Sequence, residues 1–211
     1  MNHSPGWSNW YDRHVLPYLL DATCGMAPIA RQRELIVPRA AGQVLEIGIG
    51  TGLNLAFYDR QRIDKLIGID PAAQMHVLAR RRSQRAGLPV ELLQLSAEQL
   101  PLPDESIDCI VCTYTLCSIP DPLAALKEMH RVLRPGGRLL YAEHGLAPDA
   151  HVARHQARLE PYWSKVAGGC HLTRDVPSLL LQAGFKVEGE SAYIAWPRSL
   201  SYNYWGEATV S

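Results

Sequence analysis

Seven residues constrain this chain more than any others: Glu46-Ile47-Gly48-Ile49-Gly50-Thr51-Gly52. Glycine at every second position frees the backbone to take positive φ and lets a ligand approach the main chain closely. Gln43–Ile47, an apolar run bounded by glycines, reads as a strand, and Gly52–Tyr58 reads as the helix that the loop opens. Lys65–Ile69 reads as a second strand, and it runs into Asp70-Pro71. That acid lies about 20 residues past the loop, the spacing at which a carboxylate accepts hydrogen bonds from ribose hydroxyls. A nucleoside-binding α/β unit is the expectation.

The rest of the chain repeats this rhythm. Ala27–Val37 is a helix stopped by Pro38, and Ala72–Ala86 is a helix stopped by Gly87. Val90–Leu95 and Ile107–Cys112 are the third and fourth strands. Asp121, followed by Pro122, caps a helix to about Leu133, and Pro135-Gly136-Gly137 turns into a fifth strand, Arg138–Glu143. Thr173 or Asp175 caps a helix reaching Gly184, and Phe185–Glu188 and Ser201–Thr209 are late strand candidates. Strands alternating with helices imply a parallel sheet covered on both faces. Residues 146–172 break the rhythm with histidines, Tyr162 and Trp163, after a carboxyl strand end where such sheets bind ligands. The expected organisation is an N-terminal helical lid segment, 1–40, and one domain, 41–211, with a substrate-side insertion at 146–172.

Composition removes several classes of function. With 211 residues, 47% hydrophobic and 20% charged, the chain is ordinary globular material. A net charge of +0 argues against a nucleic-acid binder, and Arg80-Arg81-Arg82 with Arg85 reads as a solvated helix face. No run reaches the ~18 apolar residues of a membrane span. The first residues lack the pattern of a secretory signal, and five cysteines, an odd number, do not suggest a disulfide framework, so a cytoplasmic location is expected. Cys109 and Cys112 sit three apart on a strand and point to opposite faces, so neither zinc nor a redox pair is expected there, and no metal is assigned. Cys117 and Cys170 are expected to be more exposed and near the pocket.

Charge also discriminates between nucleoside cofactors. The loop is Gly-x-Gly-x-Gly, not the Gly-x-Gly-x-x-Gly of dinucleotide folds, and Glu46 precedes it. A carboxylate there repels a pyrophosphate and suits a cation. S-adenosylmethionine carries a sulfonium and an ammonium and no phosphate.

In order along the chain come Glu46–Gly52, Ile69-Asp70-Pro71, Leu95–Pro101, Ser106–Cys112 and Arg131–Gly137. Together they resemble the class I S-adenosylmethionine-dependent methyltransferases. The resemblance implies a Rossmann-like, seven-stranded, mostly parallel sheet with helices on both faces and an antiparallel last strand, for which Ser201–Thr209 is the candidate. It implies that Glu46, Gly48, Gly50 and Gly52 line the methionine and ribose end of the cofactor. Asp70, with Pro71, would take the ribose, Met75 would pack on the adenine, and Ser96, Ala97 and Glu98 would lie at its edge. Thr113 would face the methionine end. S-adenosylhomocysteine would be the product.

Three further segments, Val111–Ser118, Tyr141–His144 and Gly169–Arg174, together with Trp163, are similar to the small thiol S-methyltransferases of animals and their bacterial homologues. The animal proteins carry a hydrophobic anchor that is not expected here, and neither is membrane contact. This resemblance implies a small, apolar acceptor, best read as a thiol, with N-methylation of a lipid amine or C-methylation of a quinone-type carbon as alternatives. A non-catalytic module that binds S-adenosylmethionine is a third reading. A free thiol is about 3% thiolate at pH 7, so a histidine suffices as helper. His144 and His171 are the candidates. Tyr11, Tyr18, Tyr114, Cys117, Trp163 and Arg174 are candidate acceptor-pocket residues, Arg174 as a helix-start residue or an anchor for an anion. The oligomeric state stays open.

Overall fold

The computed structural model describes Trp10, Tyr11 and residues 14–210. Its frame is a seven-stranded sheet of β1 (Gly42–Ile47), β2 (Ile63–Ile69), β3 (Glu91–Leu93), β4 (Ile107–Thr113), β5 (Leu133–His144), β6 (Lys186–Tyr193) and β7 (Tyr202–Thr209), in the order β3-β2-β1-β4-β5-β7-β6. β1 pairs in parallel with β2 and β4, and β4 in parallel with β5. β7 runs antiparallel to both β5 and β6. Its position matches the expected Ser201–Thr209.

The central strands are mostly apolar because both faces are covered. On one face Leu45, Ile47, Ile110, Cys112 and Tyr141 pack against α4 (Pro122–Val132) and α6 (Val176–Gln182), through Leu126, Met129 and Leu180. On the other, Val44, Leu66, Cys109, Val111 and Leu140 pack against Ile36 of α2 (Ala27–Ile36), Val37, Leu55 and Tyr58. Cys109 and Cys112 thus lie in different cores, as strand alternation requires. The chain leaves β1 outward through β2 and β3, then returns to β4 on the other side. The turns after β1 and β4 therefore diverge and open a crevice at the carboxyl ends of the strands.

Several boundaries differ from expectation. Gly52–Tyr58 is not an α-helix but a 3-10 turn, Leu53–Ala56. Gly52 is left-handed, φ +82°, and a Cβ there would meet Leu55 and Ala79 of α3 (His76–Ala86). The side chains of Asn54 and Tyr58 turn inward to the buried carboxylate of Glu46. The third strand is only Glu91–Leu93, an edge piece. β6 is longer than expected, because an exposed edge strand carries polar residues that hide its period. Residues 146–172 hold a helix, α5 (Ala150–Val166), whose interior Pro161 and many basic residues obscure the pattern. Asp175, not Thr173, caps α6, accepting a hydrogen bond from Ser178 N at 3.2 Å.

The basic run on α3 is not wholly solvated. Arg82 donates to both oxygens of Asp21, at 2.6 and 3.0 Å, and to the Thr51 carbonyl at 2.9 Å. Asp21 belongs to α1 (Leu16–Cys24) and also accepts from the Thr51 hydroxyl at 2.6 Å. The pairing with Arg82 holds the Asp21 carboxyl below its ordinary pKa. One acid thus ties the N-terminal helix to the glycine loop. Asp21→Ala should cost about 1 kcal/mol, the upper range for a partly exposed ion pair, and lower Tm by roughly 2–4 °C. A melting curve indistinguishable from the parent's would show that the clamp carries no stability.

Candidate cofactor and acceptor site

The crevice holds a cavity of about 290 Å³. Its floor is the glycine loop from Gly48 to Thr51, with Glu46 beneath; its sides are Asp70–Ala72 with Met75, Leu95–Ala97 and Thr113–Thr115. Leu16, Leu20 and Cys24 of α1 and Arg33 of α2 close it from above. Gly48 and Gly50 are left-handed, φ +65° and +52°. A Cβ on Gly48 would collide with the Thr115 side chain, whereas one on Gly50 would meet nothing closer than Gly48 O at 3.8 Å and Asp70 Oδ2 at 3.9 Å. The first glycine is needed for packing, and the second keeps the cavity open.

Asp70 is fixed by two backbone donors, Gly50 N to Oδ2 at 3.0 Å and Ala72 N to Oδ1 at 2.8 Å. Each oxygen keeps a further lone pair for a ribose hydroxyl. Burial raises its pKa, and the two amides oppose that shift.

Glu46 is 1% exposed. It accepts from Asn54 Nδ2 at 3.0 Å and Tyr58 Oη at 2.8 Å, and Asn54 also donates to Thr113 Oγ1 at 3.0 Å. Burial lifts its pKa to about 7 despite these bonds. A buried carboxylate with few partners binds a cation well. Arg33, 5% exposed, donates through Nη1 to Cys24 O at 2.8 Å and lies 5.0 Å from the centre of the Tyr114 ring. Its buried Nε has no hydrogen-bond partner. A carboxylate from the ligand would supply one. Glu46 and Arg33 thus match the two charged ends of an amino acid, and Met75, Leu95, Ala97 and Ile119 offer an apolar slot for a base. These residues fit S-adenosylmethionine.

Some expected residues lie elsewhere. Gly52 packs against α3 and does not line the cavity. Glu98 turns away to cap α4, accepting from Asp121 N at 2.8 Å and from the Ser96 hydroxyl at 2.5 Å. Tyr18 is 64% exposed, and Tyr11 reaches the Val166 carbonyl at 3.1 Å; neither lines the cavity. His171 Nδ1 sits 3.1 Å from Glu160 on α5, whose other oxygen takes Leu172 N, Thr173 N and Thr173 Oγ1. This histidine orders its own loop. Arg174 donates to the Leu116 carbonyl, and its own carbonyl accepts from Leu146 N at 2.9 Å, so it joins two turns.

Cys117 and Cys170 are buried, not exposed, at 4% and 7%. They meet His144: Nε2 lies 3.0 Å from Cys170 Sγ, and Trp163 Nε1 donates to the same sulfur at 3.1 Å. A hydrogen bond from Cys170 and the neighbouring imidazole hold the Cys117 thiol well below its ordinary pKa, against burial. Burial opposes a charge on His144, but Cys117 beside it outweighs this and raises its pKa. Glu143, next in the strand, accepts from Thr115 N at 2.8 Å and Leu116 N at 3.1 Å, and burial lifts it to about 8. It shapes the turn that delivers Cys117. Tyr114, at positive φ (+54°), donates to Asn203 Oδ1 at 2.7 Å. Arg33, Asn54 and Tyr58 were invisible to motif reading. The one signal for them was that an acid in an apolar strand needs partners.

Two outcomes follow for cofactor binding. A bound cation favours ionised Glu46, which is protonated in the free protein below pH 7. Binding then expels a proton, so Kd should rise toward tenfold per unit as pH falls below 7. Titration calorimetry should show this slope in the parent and a flat, weaker response in Glu46→Gln; a flat parent profile would refute the role. Asp70→Ala should weaken binding by about 100-fold or more through two lost charged hydrogen bonds, and unchanged affinity would remove the ribose assignment.

Comparison with known proteins agrees with this geometry. Residues 45–141 match the family model described as a methyltransferase domain. The thiol S-methyltransferase TMT1B of Homo sapiens is 36% identical over 166 residues, covering 74% of this chain and 67% of that protein. The Rattus norvegicus TMT1B is 37% identical over 136 residues, covering 63% of this chain and 55% of that protein. The chain thus matches little more than half of the rat relative. A solved S-adenosylmethionine-dependent methyltransferase from Thermotoga maritima superposes with a TM-score of 0.68 at 23% identity, covering 96% of this chain and 99% of that one, which speaks for the fold alone. Glycine loop, sheet order, family model and relatives agree, and the chain belongs to the S-adenosylmethionine-dependent methyltransferase family.

Proposed function

We propose that this protein transfers the methyl group of S-adenosylmethionine to the sulfur of a small apolar thiol. The observation that carries this reading is the Cys117–His144–Cys170 cluster: none of the three lines the cofactor cavity, but their chain neighbours Ser118 and Gly168 do. The chemistry is an in-line displacement, governed mainly by positioning. The bound cofactor supplies a methyl group on a positively charged sulfur. The acceptor thiol gives up its proton at His144. Its sulfur lone pair forms the new S–C bond as the sulfonium S–CH3 bond breaks, and that electron pair stays on the leaving S-adenosylhomocysteine. Tyr114, Leu16, Leu20 and Ile119 supply an apolar wall that excludes water. The described part of the N-terminal segment 1–40 acts as a lid in this reading, supported by Leu16, Leu20, Cys24 and Arg33 at the cavity.

Among the described residues no helix is long and apolar enough to cross a membrane. We adopt a cytoplasmic enzyme with a small-molecule acceptor and no nucleic-acid partner. One observation favours a lipid amine as a second reading: Tyr18 and Leu19 on α1 and Met26 just after it expose apolar surface near the cavity mouth.

The purified chain, given cofactor and a panel of small thiols, should yield S-methyl products by mass spectrometry. His144→Ala should lower kcat/KM by about 100-fold, the usual size of a lost proton-transfer group, with cofactor Kd within twofold. Methylation of vesicle amines or quinols and of no thiol would replace this reading with the second. Cofactor binding with no acceptor methylated would favour a non-catalytic module.

A further inference from the structure

The cluster has a property that neither its relatives' names nor the cofactor explains. Cys117 Sγ, one ring nitrogen of His144 and Cys170 Sγ all lie within 4.8 Å of one another. They come from three separate places: the turn after β4, the end of β5 and the loop after α5. Side chains so far apart in sequence converge on one point only because the surrounding structure directs them there. Glu143 caps the Cys117 turn, the Cys117 carbonyl accepts from His171 N at 2.9 Å, Arg174 grips Leu116, and Trp163 donates to Cys170.

The geometry points to a binding site for a soft divalent cation of the zinc class, held by Cys117, His144 and Cys170. Zinc takes sulfur at about 2.3 Å and imidazole nitrogen at about 2.0–2.1 Å, so tetrahedral ligands stand some 3.3–3.8 Å apart. The three atoms reach that spacing by small side-chain shifts. Two sulfurs and one nitrogen select zinc over magnesium or calcium, which prefer oxygen. Three protein ligands leave the fourth position open, as in reactive rather than structural zinc sites. The indole N–H on Cys170 is the outer hydrogen bond that steadies a ligating thiolate. Cys109 and Cys112, the pair with metal-like spacing in the sequence, take no part.

Ser118 and Gly168, close chain neighbours of the two cysteines, line the cofactor cavity, and the proposal directs the open position toward it. There it would take the acceptor sulfur. This last step rests on the thiol reading above. The thiol loses its proton to water on binding, and the metal-held sulfur attacks the methyl carbon. The sulfonium bond breaks onto the departing sulfur, and the cation keeps its charge and oxidation state. In this form His144 is a ligand, and the cation replaces it as the group that favours the thiolate.

The test titrates the full chain, reduced and stripped with a chelator, with zinc and with cobalt(II). One equivalent of either should bind, and cobalt should give thiolate charge-transfer bands in the near ultraviolet with tetrahedral bands in the visible. Cys117→Ser and Cys170→Ser should each remove about half of the charge-transfer intensity while cofactor affinity, read by calorimetry, stays within twofold. Trp163→Phe should weaken the metal about tenfold as an outer-shell change. Adding a small thiol should shift the visible bands. A reduced parent chain that binds cofactor but gives no cobalt spectrum and retains no zinc would overturn the site. Thiol methylation that survives chelation undiminished, with no cobalt spectrum, would do the same while leaving the thiol reading intact. Metal bound with no thiol methylated would keep the site and remove that reading.

Discussion

Two hydrogen bonds from the glycine loop to the end of β2 organise the molecule. Where β1 and β2 end side by side, with Ile47 paired to Ile69, Ile49 N donates to the Ile69 carbonyl and Gly50 N to the Asp70 carboxylate. The chain can make both only by passing through left-handed backbone at Gly48 and Gly50, which glycine adopts without steric cost. The same two contacts set the Asp70 carboxylate at a fixed distance from the loop. They also force the chain into a short turn, since Gly52 must bring Leu53–Ala56 back over β1. The crevice, the cavity and the position of α1 above it all follow from this corner.

Around the corner the protein keeps two carboxylates out of water on opposite sides of the sheet, and each has a job. Glu46 stands with Asn54, Tyr58 and Arg33 on the α2 side, where its partners leave it able to meet a cation. Glu143 stands on the other side and gives both oxygens to backbone amides of the turn after β4. The first acid is poised toward the cofactor. The second fixes the turn that carries Cys117 to His144. An unpaired buried charge costs several kcal/mol, so each carboxylate requires the neighbours it has.

The sequence disclosed what is repeated or apolar and hid what depends on long-range contact. β1, β2 and β4 read clearly because strands covered on both faces are almost wholly apolar. Asp70 and the glycines read clearly because a turn built on left-handed glycines and an acid bonded to its backbone recur at a set spacing. β6 was underestimated because an exposed edge strand has no apolar face to betray it. Gly52–Tyr58 reads as a helix but forms only a short turn, Leu53–Ala56, after a left-handed Gly52 packed on Ala79, a contact distant in sequence that no local pattern shows. The cysteines show the limit most plainly. Cys109 and Cys112 are close in sequence yet lie in different cores, while Cys117 and Cys170, far apart along the chain, share one pocket with His144.

The direct test of the central claim is a calorimetric comparison of the purified chain with S-adenosylmethionine, S-adenosylhomocysteine, NAD and ATP under one buffer. A cavity built around Glu46 and Arg33, with no phosphate cradle, should take up the two sulfur nucleosides in one-to-one stoichiometry and ignore both phosphates. Tight uptake of NAD or ATP with no response to the sulfur nucleosides would contradict it.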